Sequence, residues 1–112
     1  MENIRVRFGR IDDKRTPKNT LITHRKEDTI YFGISRYLPT DPDPFTKEEG
    51  KRRAMERLHI ALSEVAGAWI IDGSFYLHKS GLFGQVAVGE ITKLLSYFDN
   101  IDAICKDRRG SR

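Results

Sequence analysis

Three prolines fall within the six residues Pro39-Thr40-Asp41-Pro42-Asp43-Pro44, and no regular element crosses such a run. Proline lacks the N–H that a β-ladder needs and biases the residue before it to extended backbone, so a strand arriving here must stop. The next signal starts a new element. Thr46-Lys47-Glu48-Glu49 fits a capping box, with Thr46 as N-cap and Glu49 reaching back from the third helical position. Behind it Ala54, Leu58, Ala61, Leu62 and Val65 recur at helical spacing on one face, and Gly67 is a suitable terminator. The spacing predicts a helix from Lys47 to Val65.

Before the prolines the pattern is that of strands. Ile4-Arg5-Val6-Arg7-Phe8 alternates apolar and basic residues, which puts Ile4, Val6 and Phe8 on one face and Arg5 and Arg7 on the other. A polar connection over Asp12–Thr20 leads to a short Leu21–His24 run. Lys26-Glu27-Asp28 is a turn candidate. Thr29–Tyr37 is rich in aromatic and β-branched residues and reads as the central strand. Its connections are too short for crossover helices, so an antiparallel meander is expected.

After the helix, Ala68–His78 reads as two short strands around the Asp72-Gly73 turn, and Lys79-Ser80-Gly81 turns again. From about Gly84, the residues Val88, Ile91, Leu94, Leu95, Phe98 and Ile101 trace a second amphipathic helix. The expected fold is therefore α+β: an antiparallel sheet of about three to five strands with two amphipathic helices packed on one face. One domain over residues 1–105 and a basic tail over 106–112 complete the expectation. A chain of 112 residues has room for one hydrophobic core without a metal or disulfide staple.

Charged residues make up 32% of the chain, above the usual quarter or so, which predicts a heavily charged surface around that core. The net charge of +4 and pI near 9.4 resemble a nucleic-acid binder's, but dispersed charge of that size serves only solubility. Placement decides. Arg53 and Arg57 lie along one flank of the helical stripe, and Lys47 and Lys51 lie in its first two turns. Extended by Arg5 and Arg7, that flank would follow a phosphate backbone. Against this, Glu48 with Arg52, Glu49 with Arg53 and Arg52 with Glu56 are i,i+4 pairs of the kind that dress any solvated helix. Arg36, Tyr37 and Phe45 bracket the proline loop and join Arg5, Arg7, Lys47, Lys51, Arg53 and Arg57 as candidate contacts to nucleic acid or a partner. Tyr31 and Tyr76 are aromatics of the kind that either stack on bases or pack a sheet against helices.

Catalytic and metal chemistry find little support. Asp41, Asp43 and Asp72 are the only carboxylates whose grouping suggests a divalent ion, and Asp-Pro is also ordinary turn chemistry. His24, His59 and His78 are too far apart in sequence to form a ligand pair, and Cys105 is the only cysteine, so neither a structural zinc nor an intramolecular disulfide is expected. Gly50-Lys51 lacks the preceding glycine of a phosphate loop, and Gly81-Leu82-Phe83-Gly84 is too short for a nucleotide fingerprint. No cofactor and no catalytic residue is expected. With no apolar signal segment and no stretch of about 18 apolar residues, the expected setting is the cytoplasm, away from membranes.

The run Phe32-Gly33-Ile34-Ser35-Arg36, then Asp43, Phe45 and Lys47, then Gly50-Lys51-Arg52 with Ala54, Arg57 and Leu58, resembles a segment of small phage accessory proteins. In those, a strand ending in Ser-Arg leads through an Asp-x-Phe-x-Lys loop to a Gly-Arg helix start. Here Lys51 replaces the more usual arginine and extra prolines enlarge the loop. The resemblance covers residues 31–58. It implies a phage or mobile-element origin and a non-catalytic binder, and transfers no active-site residue. Three functional readings follow: a protein whose basic surface engages nucleic acid or a nucleic-acid–protein complex; a phage inhibitor that blocks a host protein, such as a defence nuclease or transcription component; and a small metal-dependent nuclease.

Overall fold

A computed structural model describes residues 4–11, 16–36, 46–63, 69–72 and 74–101 of the chain. Three strands, β1 (Ile4–Ile11), β2 (Thr16–Lys26) and β3 (Thr29–Arg36), form the expected antiparallel meander. Glu27 and Asp28 alone make the turn between β2 and β3, and Glu27 takes a positive φ of 58° to close it. Helix α1 (Lys47–Leu62) follows, then β4 (Trp69–Asp72), β5 (Phe75–His78) and β6 (Phe83–Ala87). A 3-10 turn over Val88–Glu90 leads into helix α2 (Ile91–Asp99). The six strands are ordered β1-β2-β3-β6-β5-β4, each antiparallel to its neighbours, so two meanders meet where β3 pairs with β6.

The α+β class and the two helices match expectation, and several details differ. β2 begins at Thr16, inside the stretch expected to be a connection. Pro17 is tolerated there because β3 pairs with β2 only from Asn19 onward, and a register shift after Gly9 accommodates it against β1. The second helix starts at Ile91 rather than near Gly84. Residues 83–87 instead supply β6, one strand beyond the expected range. Gly84 pairs with Phe32 and Leu77 at the junction of the two meanders, where a Cβ would meet the Tyr76 carbonyl oxygen and lie 3.0 Å from the Phe32 ring. An apolar run this short fits a buried strand or a helix equally well by pattern; pairing on both sides decides it. α1 ends at Leu62 with Ser63 as C-cap, and the expected contributions of Val65 and Gly67 lie outside the described residues.

The helices do not share a face of the sheet. Leu21, Ile30, Phe32, Ile34, Phe75, Leu77 and Val86 pack with Leu94, Phe98 and Ile101 on the α2 side. Ile22 packs with Ala54 and Leu58 on the α1 side. Leu21 and Ile22 are neighbours pointing to opposite faces, and both are 1% exposed. A sheet apolar on both faces needs cover on both, so the helices divide. α2 has nine residues, below the length at which a helix stands alone in water, and its burial of Leu94 and Phe98 supplies what propensity does not.

α1 sits so low on the sheet that Gly33 touches its backbone. A Cβ at Gly33 would fall against the carbonyl oxygen of Ala54 and the amide nitrogen of Leu58, neither of which can swing aside. Replacing Gly33 with alanine is expected to destabilise the fold by about 3 kcal/mol or more, the upper part of the overpacking range, as read by urea denaturation. Gly89→Ala, at a site with open space around it, should leave stability within about 0.5 kcal/mol.

Candidate binding groove

The nine candidate residues do not form one surface. Arg5 and Arg7 alternate with Val6 along β1 and project on the α2 side, because Arg7 lies opposite Leu21 in the register and Leu21 belongs to the α2 core. Lys47, Lys51, Arg53 and Arg57 belong to α1, on the other side of the sheet. The expected basic flank running from the helix onto β1 therefore does not exist. Arg36 ends β3 opposite Asn19, half-buried and bonded. Tyr37 and Phe45 lie outside the described residues, as do Asp41 and Asp43.

Within α1 the glutamates pair with Arg52 and Arg53 only, and Lys51 has no ion-pair partner among the described residues. Thr46 Oγ1 accepts the Glu49 amide at 3.1 Å, so the N-cap half of the capping box forms. Glu49 turns its carboxylate to Arg52, at 2.7 and 2.8 Å, and to Arg53 at 3.3 Å. Arg52 also reaches Glu56 at 2.9 Å. Hydrogen bonding from Arg52 is the main cause that pulls the Glu49 carboxyl from its ordinary 4.5 down to about 2; desolvation opposes it, and the charges of Arg52 and Arg53 with the Arg53 hydrogen bond outweigh that opposition. Lys47 places its ammonium 5.3 Å from the centre of the Phe8 ring, a cation–π contact.

Arg57 serves the fold. The N–H of Ile34 donates to Leu82 O at 2.7 Å, as in a strand pair, but the Leu82 N–H turns to Ser80 Oγ at 3.3 Å and does not return the bond. Arg57 Nη1 donates to the Ile34 carbonyl instead, at 2.8 Å. Burial, reinforced by the nearby charge of Arg53, lowers its pKa from the ordinary arginine value.

The other three arginines meet on the α2 side. Arg25 follows Thr23 along β2, and Thr23 faces Arg5, so Arg25, Arg5 and Arg7 stand in a staggered row across the two strands. They edge a groove of about 740 Å³ whose lining also includes Leu21, Thr23, Ile30, Val88, Ile91 and Leu95. Arg7 Nη2 contacts both carboxylate oxygens of Asp99, at 3.2 and 3.3 Å, in an ion pair half-exposed on both sides. Arg25 Nε donates to the carbonyl of Glu27 at 3.2 Å, which ties its guanidinium to the hairpin turn. Among the described residues Arg5 has no ion-pair partner. The groove thus sets cationic hydrogen-bond donors beside an aliphatic floor.

Arg25 was not among the sequence candidates. The signal was present in the alternation Leu21-Thr23-Arg25, which places Arg25 on the face of a core leucine, but a strand read only as far as His24 hid it. The histidines find structural or isolated places. His78 stacks on Phe83 with ring centres 4.3 Å apart, and its Nδ1 lies 3.0 Å from Ser80 Oγ; His59 is exposed on α1. Among the described residues no group of three or more His, Cys, Asp or Glu side chains could hold a metal ion. Cys105 lies outside them, and the side chain of Asp72 is likewise not described. Among the described residues, no helix is long and apolar enough to cross a membrane. No protein-family model, curated protein or solved structure matches this chain.

Two outcomes follow from these pairings. Arg52→Ala should return the Glu49 carboxyl from about 2 toward 4.5, measured by NMR titration of its side-chain carbon. The folded state holds this carboxyl below its unfolded value, so its stabilisation is complete above the ordinary carboxylate range and disappears as pH falls toward about 2. Separately, Arg57→Met keeps the apolar stem but strands the Ile34 carbonyl; thermal unfolding should report a loss of about 1–3 kcal/mol.

Proposed function

We propose that this chain is a non-catalytic binding protein that engages an anionic macromolecule through the groove of Arg5, Arg7 and Arg25. One observation carries the reading: three arginines converge on one sheet face beside an aliphatic floor, whereas Arg52 and Arg53 of α1 are paired with that helix's own glutamates. Guanidinium groups hold carboxylate or phosphate oxygens by paired hydrogen bonds as well as by charge. The likeness of residues 31–58 to small phage accessory proteins agrees with a role played by binding, in a phage or mobile-element protein that occupies a component of its host.

A matched pair of variants tests this. Arg5→Ala with Arg25→Ala, and Lys51→Ala with Arg52→Ala, each remove two positive charges. On a heparin column the groove variant should elute at clearly lower salt than the parent, and the helix variant close to it. Equal losses for the two variants would mean that retention follows only net charge, and would overturn the proposal.

A further inference from the structure

We infer that the groove takes an acidic amphipathic segment of another protein, with its carboxylates on Arg5 and Arg25 and its aliphatic side chains on the floor. The inference rests on the groove being the binding surface and names the partner. Leu21 and Ile30 are buried beneath the groove, and the half-buried Val88, Ile91 and Leu95 supply its accessible floor, with no aromatic ring among the described lining residues. Bases of single strands are held mainly by stacking on aromatic faces, and this floor offers none. The nearby aromatics are committed elsewhere. Tyr31 and Tyr76 both lie opposite Gln85 in the register, on the side of the sheet away from α2. Tyr97 donates its hydroxyl to the Gly81 carbonyl at 2.8 Å and meets Phe75 edge-on, with ring centres 5.8 Å apart.

A duplex backbone would use the arginines and leave the aliphatic floor uncovered, whereas an amphipathic segment uses both. The rim also carries its own carboxylate. Asp99 grips Arg7 through both oxygens, which shows the geometry in which this rim receives a carboxylate and sets a negative charge in the path of any chain of phosphates. Arg5 and Arg25 are diagonal neighbours across the β1–β2 ladder, about 7–8 Å apart at the backbone. Carboxylates at i and i+4 of a helix project from points about 5–6 Å apart, within reach of two arginines so placed. Helix-in-groove recognition joins such charges to an apolar stripe.

The test uses the full chain, isotope-labelled for NMR, and defined probes. One is a 16-residue helical peptide with glutamates on one face and leucines on the other. Two copies replace either its glutamates by glutamine or its leucines by alanine. The last probes are a single strand and a duplex of mixed-sequence DNA. The acidic amphipathic peptide should shift the amide signals of β1, β2 and α2, and each altered copy should bind at least about tenfold more weakly. Arg5→Ala, at an exposed position, should weaken the parent peptide about tenfold, and Leu95→Asn should weaken it further if that variant folds. If DNA occupies the groove in an Arg5-dependent way and the peptide does not, the inference fails while the arginine groove survives as an anion site. If no probe shifts these signals, both fall.

Discussion

Helix α1 rests on β3 at Gly33, backbone against backbone with no side chain between. That contact sets the height of α1 above the sheet, and the buried Ala54 and Leu58 flank it on the helix side. It also lets Arg57 reach the Ile34 carbonyl left open when Leu82 bends away. A larger residue at position 33 would lift the helix and strand that carbonyl in the same step. A half-buried arginine is costly to desolvate, and leaving the buried Ile34 carbonyl unpaired would cost as well, so the bond is retained for fit more than for net energy.

Seated this low, α1 covers one face of the meander and leaves the other to α2. The division determines where charge can act. Helix α1 carries a dense set of cations, yet Glu49 and Glu56 lie within hydrogen-bond reach of Arg52, and Arg53 shares Glu49. On the α2 side, β1 and β2 expose arginines at alternate positions, where the matching partner positions hold leucine and threonine rather than acids. Asp99, from the end of α2, offsets only Arg7. The two faces of the sheet thus differ in how far their arginines are paired with acids.

Much of the scaffold could be read directly from residue order. The alternation in β1, the N-cap at Thr46 and the hairpin around Asp72 are local signals, and local structure obeyed them. What escaped reading was set by contacts distant in sequence. Residues 83–87 became a strand because β3 and β5 flank them, and β2 extended to Thr16 because β1 pairs there although β3 does not. The groove escaped for the same reason. Arg5 and Arg7 were singled out, but their neighbours Arg25, Ile91 and Leu95 come from two further elements, and nothing local to β1 names them. The basic residues of α1 are adjacent in sequence, and adjacency on a helix is also what lets its glutamates pair with Arg52 and Arg53.

The same distinction bears on residues 31–58, the segment on which the expectation of a phage origin rests. Within it Gly33, Gly50, Ala54, Arg57 and Leu58 each have a packing reason. Gly33, Ala54 and Leu58 form the seam between strand and helix, Gly50 is buried in the first turns of α1, and Arg57 closes the Ile34 carbonyl. A pattern of this kind marks a strand-and-helix unit that many surfaces can be built upon, and so carries a fold more readily than an activity. The groove lies on the opposite face, and of its lining only Ile30 comes from β3; the rest comes from β1, β2, the 3-10 turn and α2. Chains sharing the seam are therefore free to differ in the groove, and a partner's identity would be written in positions 5, 25, 91 and 95 rather than in the segment that invites comparison.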